Sequence, residues 1–371
     1  MGSLPMNPEA LPKTRAVIQE GIDQGLHLGA QLYASLPGRE PINLAMGQAR
    51  PGVAMTPDIL LIWMSSTKPV AAVAIAQLWE RGLLQLDDPV ARHIPEFAQN
   101  QKEAVTIRHL LTHTGGFRAS PPWSNTSWEQ IIERVCRLHL ESGWMPGQKA
   151  GYHTASSWYI LGEIVRRLDG RPYDQYVRQA IFEPLGMMDS WIGMPRQTYR
   201  DYAQRVGWMY LTQNGVVQEP TPQSQEDAAV ICRPGGNGHG PMQDLGRFYE
   251  MLRDGGRGTN QMLLQPPTVQ TLIAPHRRGM YDVTFDFFMD WGLGLILNTS
   301  RPGIDEMPYG FGPYASARAF GHGGHQSSQG MCDPRFGLVL TFAFNGQPGE
   351  DRHHQRRGAT VRAVYEDLDL V

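Results

Sequence analysis

The period of the apolar residues changes along this 371-residue chain, and that change constrains its fold more than any other feature. Near the N-terminus, Ala30-Gln31-Leu32-Tyr33-Ala34 and Ile42-Asn43-Leu44-Ala45-Met46 read as two strands of a hairpin, with Pro37-Gly38 between them. From Val70 the spacing becomes helical: Val70, Val73, Ala74 and Leu78 mark one face, and Gly82 offers a stop. Trp128 to Leu140, Ser157 to Leu168 and Tyr173 to Phe182 continue in the same period. The C-terminal third returns to strands, at Trp291 to Leu297 and at Leu338 to Phe344 after the turn Asp333-Pro334-Arg335. Strands at both ends around a helical middle imply an α/β (α+β) fold: one sheet completed by the C-terminal region, with an all-helical lobe inserted. The expected division is an α/β lobe of residues 1–82 and 195–371 and a helical lobe of residues 83–194. Further helices are expected at Leu11 to Gln24, Asp244 to Leu252, Pro267 to Ile273 and Ala359 to Leu368. From Tyr199 to Gly238 no period emerges and no element is assigned.

Charge and composition remove several classes of function. With 41% hydrophobic and 19% charged residues the chain can bury a globular core. A net charge of -3 supplies no basic field for phosphates, so nucleic acid is not an expected partner. No segment approaches the ~20 apolar residues that span a bilayer. Met1-Gly2-Ser3-Leu4-Pro5-Met6-Asn7-Pro8 lacks a basic and apolar leader, so a soluble, cytoplasmic protein is expected. Cys136, Cys232 and Cys332 are too few and scattered for a disulfide framework and read as buried thiols. His322, His325, His353 and His354 come without an acidic or cysteine cluster, so no metal site is expected.

Chemistry enters at Ser65-Ser66-Thr67-Lys68, a serine three residues before a lysine where a helix opens. Residues at i and i+3 share one helical face, and an uncharged lysine beside a serine can take its proton. Lys68 lies in the apolar run Trp63 to Ala74, which argues against full exposure; burial lowers an amine's pKa, whereas a carboxylate partner raises it. Two later stretches join it. Pro146-Gly147-Gln148-Lys149-Ala150-Gly151-Tyr152-His153-Thr154 sets a tyrosine after a Pro-Gly turn, and Phe320-Gly321-His322-Gly323-Gly324-His325 sets a glycine pair where a strand can run close to a ligand.

These segments and their surroundings resemble the serine hydrolases built like class C β-lactamases: penicillin-binding-protein-like esterases, DD-peptidases and acyltransferases. The resemblance extends to Met55-Thr56-Pro57-Asp58, Leu86-Asp87-Asp88-Pro89-Val90 and Ile107-Arg108-His109-Leu110-Leu111-Thr112-His113-Thr114-Gly115-Gly116. It continues through Leu161-Gly162-Glu163-Ile164-Val165, Phe182-Glu183-Pro184-Leu185-Gly186-Met187, Pro234-Gly235-Gly236 and Asp244-Leu245-Gly246-Arg247-Phe248. It implies an antiparallel sheet flanked by helices, a β-lactamase/transpeptidase-like architecture with the active site between lobes. It further implies Ser65 as nucleophile, Lys68 as part of its base and Tyr152 as the group that relays the proton to the leaving group. His322-Gly323-Gly324 stands where relatives carry Lys-Thr-Gly, His-x-Gly or Trp-x-Gly, so these three residues border substrate. The backbone N-H of His325 then joins that of Ser65 as the oxyanion hole.

Two departures bear on substrate. A histidine at 322 removes a permanent cation and weakens recognition of an acidic substrate at neutral pH. Tyr152-His153-Thr154 replaces the Tyr-x-Asn of many β-lactamases and DD-peptidases, and Thr154 lacks an amide that both donates and accepts. The expected activity is therefore hydrolysis of a small-molecule carboxylic ester, or acyl transfer from it, without metal or organic cofactor. A DD-peptidase or β-lactamase is the alternative, and a catalytically silent peptide-binding relative is another. Some of Trp123, Trp128, Trp144, Trp158 and Phe117 are expected to line an acyl or aryl pocket. His113 is expected to fix a loop. The natural acyl donor and the oligomeric state stay open.

Overall fold

The computed structural model describes residues 10–121, 124, 126–213, 215–299 and 306–371. The N-terminal stretch Met1 to Pro8 and Trp123 lie outside them. Fifteen strands occur among the described residues. The first four are β1 (Gly29–Ser35), β2 (Ile42–Arg50), β3 (Val53–Ala54) and β4 (Leu61–Ile62). The middle of the chain adds β5 (Trp191–Ile192), β6 (Tyr210–Gln213), β7 (Val216–Pro220) and β8 (Gly238–Gly240). The remainder are β9 (Arg277–Asp282), β10 (Phe287–Trp291), β11 (Ile296–Leu297), β12 (Phe320–Gly323), β13 (Ser328–Asp333), β14 (Leu338–Phe344) and β15 (Gly346–Gln347).

Nine of these form one antiparallel sheet in the order β3-β2-β1-β14-β13-β12-β11-β10-β9. The N-terminal hairpin pairs directly with the penultimate strand, Leu32 opposite Phe342, so the two chain ends complete one sheet. Every residue of β1 and of β14 is buried, because helices cover both faces. On one face lie α1 (Pro12–Asp23) and the C-terminal helix. On the other, a helix from Met242 to Arg253 rests on β1, β13 and β14.

The helical middle comprises α2 (Lys68–Glu80), α3 (Ile107–Leu111), α4 (Trp128–Arg137), α5 (Ser156–Asp169) and α6 (Tyr173–Val177). Helix α2 is apolar on nearly every side and runs through the core against α5, as an all-round apolar helix must. The segment left unassigned holds α7 (Arg196–Asp201), α8 (Glu226–Ala229) and β6 to β8. It is followed by α9 (Met242–Arg253) and α10 (Pro266–Ile273), and the last helix is α11 (Glu350–Asp367). Strand β5 falls inside the span expected to be helical: it pairs with β8, which pairs in turn with β4.

Two expectations need correction. Trp291 to Leu297 is not one strand but a tight reversal between β10 and β11, with Trp291 opposite Ile296 and Gly292 N-H donating to Leu295 O at 2.9 Å. Gly294 supplies the positive φ of 73° that the reversal requires, and a Cβ there would sit 2.7 Å from that of Ala72. Helix α11 begins nine residues before Ala359, because His353, Arg356 and Arg357 are buried although their types read as a solvated surface. The three cysteines are free thiols, Cys136 and Cys332 buried and Cys232 partly so. Among the described residues no helix is long and apolar enough to cross a membrane.

Candidate active site

Strand β4 delivers the chain to Ser65. Its successor Trp63 is held by N-H donation to Gly238 O at 2.7 Å and by its indole N-H to Gly240 O at 3.0 Å. Met64 then adopts φ of 49°, a left-handed conformation that costs a non-glycine residue about 1 kcal/mol or more. Met64–Thr67 forms a 3-10 turn that runs straight into α2. The hydroxyl of Ser66 donates to His322 O at 3.0 Å and that of Ser328 donates to Trp63 O at 2.5 Å, fastening the turn to β12 and β13. Thr67 Oγ1 donates to Met64 O at 2.7 Å and accepts from Gly238 N-H at 2.9 Å. The strained turn is thus held at both ends.

One helical turn on, Lys68 Nζ lies 2.8 Å from Ser65 Oγ and donates to Gly235 O at 2.6 Å. The side chain has no solvent exposure. Its Nζ stands 4.9 Å from the ring centre of Tyr152 and 5.5 Å from that of Trp158. Among the described residues no carboxylate pairs with it. Burial therefore holds its pKa well below the ordinary lysine range. Burial thus favours the neutral amine.

Tyr152 is buried beside this pair. Burial pushes its phenol above the ordinary range, with a hydrogen bond to Ser65 opposing the rise. Its backbone N-H donates to Asp282 Oδ1 at 3.0 Å, and the same oxygen accepts from Thr284 N-H at 3.0 Å and Phe285 N-H at 3.2 Å. The other oxygen pairs with Arg277 at 2.9 Å, both side chains fully buried, and Arg277 reaches on to Thr112 O at 3.1 Å. His113 does fix a loop. It takes φ of 58°, accepts from His153 N-H at 2.9 Å and lays its ring 4.5 Å from that of Tyr152.

Ser65, Tyr152, Thr154, His322, Gly323 and His325 all line one open cleft of ≈ 510 Å³. Lys68 lies beneath its floor. His322 is buried. Its Nδ1-H donates to Gly323 O at 2.7 Å, so Nε2 is left as an acceptor and has no partner among the described residues. Burial, then the neighbourhood of Lys68, pulls its pKa down to about 3. The backbone N-H of His325 donates to no described acceptor. That of Ser65 sits in the first turn of the 3-10 element, where N-H groups lack intrahelical partners.

Gly323 lines the cleft and Gly324 does not, and both are closely packed. A Cβ on Gly323 would meet the Tyr309 ring at 2.4 Å, and one on Gly324 would meet Ser328 Oγ at 2.2 Å and Trp63 O at 2.4 Å. Gly324 is small so that β12 can close on the serine turn, and it does not line the cleft. The hydroxyl of Thr154 is engaged by Ser120.

Residues 14–364 match the Beta-lactamase family. The chain belongs to the beta-lactamase family. It is 28% identical over 311 residues to a putative D-alanyl-D-alanine carboxypeptidase of Escherichia coli (strain K12), covering 76% of this chain and 68% of that one. A penicillin-binding protein homolog from Caulobacter crescentus superposes with a TM-score of 0.79 at 30% identity, over 97% of this chain and 99% of that one. A family VIII carboxylesterase shares the fold with a TM-score of 0.80 at 23% identity, over 98% and 99%. The protein is a serine hydrolase of β-lactamase fold.

Several groups at this beta-lactamase-family site had no signal in the sequence. Asp282, Phe285, Tyr309 and Glu350 reach it from distant segments without a motif of their own. Gly235 sits in the glycine-rich stretch that carries the resemblance, but nothing local shows that its carbonyl holds Lys68. The four described aromatic residues expected to line the cleft do not. Phe117, Trp144 and Trp158 are core, Trp128 packs against it, and Phe285 and Tyr309 of the α/β region form the wall.

Proposed function

We propose that the protein hydrolyses carboxylic esters through an acyl-enzyme on Ser65. The observation that carries this reading is the 2.8 Å approach to Ser65 Oγ of a fully buried Lys68 amine that has no carboxylate partner among the described residues. A neutral amine accepts the serine proton as Oγ attacks the ester carbonyl. The developing oxyanion lies between the N-H groups of Ser65 and His325. Tyr152 passes a proton to the departing alkoxide and is reprotonated from Lys68. Water attacks the acyl-enzyme by the reverse proton path, and an alcohol in its place makes the reaction an acyl transfer. No cofactor enters any of these steps, and the partner is a small acyl donor.

Esters are favoured over lactams by two features. His322 offers an acceptor and no fixed positive charge where an anionic substrate needs a cation. Thr154 is tied to Ser120 and carries no amide. The test is turnover of short p-nitrophenyl esters and of nitrocefin, with fluorophosphonate labelling, by the parent and Ser65→Ala. Ester turnover and labelling that both vanish in the variant support the reading; equal turnover by the variant defeats it. A second reading, DD-peptidase or β-lactamase, draws on the relative described as a putative D-alanyl-D-alanine carboxypeptidase. Nitrocefin turnover comparable to ester turnover favours it.

A further inference from the structure

Three aromatic rings and one carboxylate face the same cleft. Tyr152 and Phe285 have ring centres 4.7 Å apart at 51°, and Phe285 and Tyr309 have theirs 6.0 Å apart at 60°. Phe285 and Tyr309 keep part of their surface exposed to the cleft, whereas Tyr152 is buried and already carries His113 and Lys68 against its ring. Glu350, at the start of α11, stands on the same wall. Both its oxygens accept from the Tyr309 hydroxyl at 3.0 Å, and Oε1 lies 3.2 Å from His325 Nδ1.

The charge lining the cleft has one fixed sign. Glu350 and the imidazole of His325 are its ionisable rim, and among the described residues it holds no lysine or arginine. Burial pushes the Glu350 carboxyl up, but hydrogen bonds from His325 and Tyr309 outweigh it and hold the group below the usual range, so it is an anion at neutral pH. Arg357 lines a neighbouring cavity together with Tyr309 and Glu350, and the Glu350 charge favours its protonated form, but no ion pair joins the two among the described residues. Donation to a carboxylate also enriches the Tyr309 ring in electron density. An aryl group would fill the rings and leave Glu350 with hydrogen bonds from Tyr309 and His325 but with no fixed cation in contact among the described residues. A weakly hydrated cation satisfies both.

We infer that the cleft seats an alkylammonium group of the substrate, of trimethylammonium type, against the rings of Phe285 and Tyr309 with Glu350 as its counter-charge. The catalytic meaning rests on the ester-hydrolase reading, since the preferred substrates become esters bearing such a cation. Binding of the cation does not rest on it.

The experiment compares choline with 3,3-dimethyl-1-butanol, its isostere with carbon in place of charged nitrogen, by isothermal titration calorimetry on the full chain. The parent is expected to bind choline about tenfold more tightly than the neutral alcohol. That ratio is expected to fall to about threefold or less in Glu350→Gln and in Phe285→Leu, with thermal melts confirming that both variants fold. Equal affinities in the parent, tighter binding of the neutral alcohol, or no detectable choline binding each overturn the inference. So does a ratio that survives Glu350→Gln unchanged. Choline preference without any ester turnover keeps the seat and removes the esterase reading, and ester turnover without choline preference does the reverse.

Discussion

Asp282 accepts the backbone N-H of Tyr152 at 3.0 Å from a carboxylate that is wholly buried and paired with Arg277. One side chain on a sheet edge thereby sets the position of a phenol that arrives on a loop 130 residues earlier in the chain. Asp282→Ala leaves Arg277 buried without its partner and is expected to cost about 3 kcal/mol in urea unfolding. It should also lower kcat for a p-nitrophenyl ester more than it raises KM. Asp282→Asn keeps an acceptor for Tyr152 and should recover much of that kcat. Equal kcat losses in the two variants would show that Asp282 does not act through the position of Tyr152.

The depressed pKa of Lys68 predicts a one-sided response to acid. As pH falls through its depressed pKa, the amine gains a proton and no longer accepts that of Ser65, so kcat/KM declines. Because burial holds that pKa well below the ordinary lysine value, the acid limb of the profile should lie well below the ordinary lysine range. Lys68→Arg, which cannot be neutral, should lose about a thousandfold or more in the rate of fluorophosphonate labelling. Labelling at the parental rate would remove Lys68 from the mechanism.

Buried histidines make the fold acid-sensitive. His153 and His322 are pulled down to about 3 and His239 to about 4, in each case first by burial. Their unfolded forms titrate near 6.5, so the stabilisation is complete above that pH and is lost as pH falls toward the folded values. Each contributes up to about 1.4 kcal/mol per pH unit in that window. Asp244, pushed up to about 6 by burial, works in the opposite direction but over fewer units. The urea midpoint should therefore drop between pH 7 and pH 5. A midpoint that holds or rises contradicts the neutral, buried state of these rings.

Gly323 is expected to be intolerant because of its neighbour and not because of its own backbone. A methyl there meets the Tyr309 ring at 2.4 Å, and displacing that ring from a close-packed wall costs roughly 1–3 kcal/mol. Gly323→Ala should lower ester kcat/KM about tenfold, and adding Tyr309→Ala, which removes the ring, should restore stability in part. If thermal melts show no such recovery in the double variant, the clash is not with Tyr309.

Much of the scaffold was legible because apolar period is a local property. The N-terminal hairpin, α4, α5, α9, α10 and β14 fall within a few residues of where alternation or helical spacing put them. The errors have local causes too. Glycines at 292 and 294 hid a reversal inside what reads as a continuous strand. Buried arginines and histidines on α11 read as a solvated face, since sequence ranks them by type and the fold ranks them by what lies above them.

The sequence by itself determined the order of helix and strand, the family resemblance, and the spacing that puts Ser65 and Lys68 on one helical face. Only the tertiary structure decided their chemistry. Whether an amine is neutral depends on the water and charge around it, and the groups that exclude both from Lys68 come from Tyr152, Trp158 and Gly235, far along the chain. The tautomer of His322 follows from a carbonyl orientation in β12. The wall of Phe285, Tyr309 and Glu350 exists only because the turn between β9 and β10, the approach to β12 and the start of α11 converge on one cleft. Desolvation and close approach are properties of that convergence, and no short stretch of residues carries them.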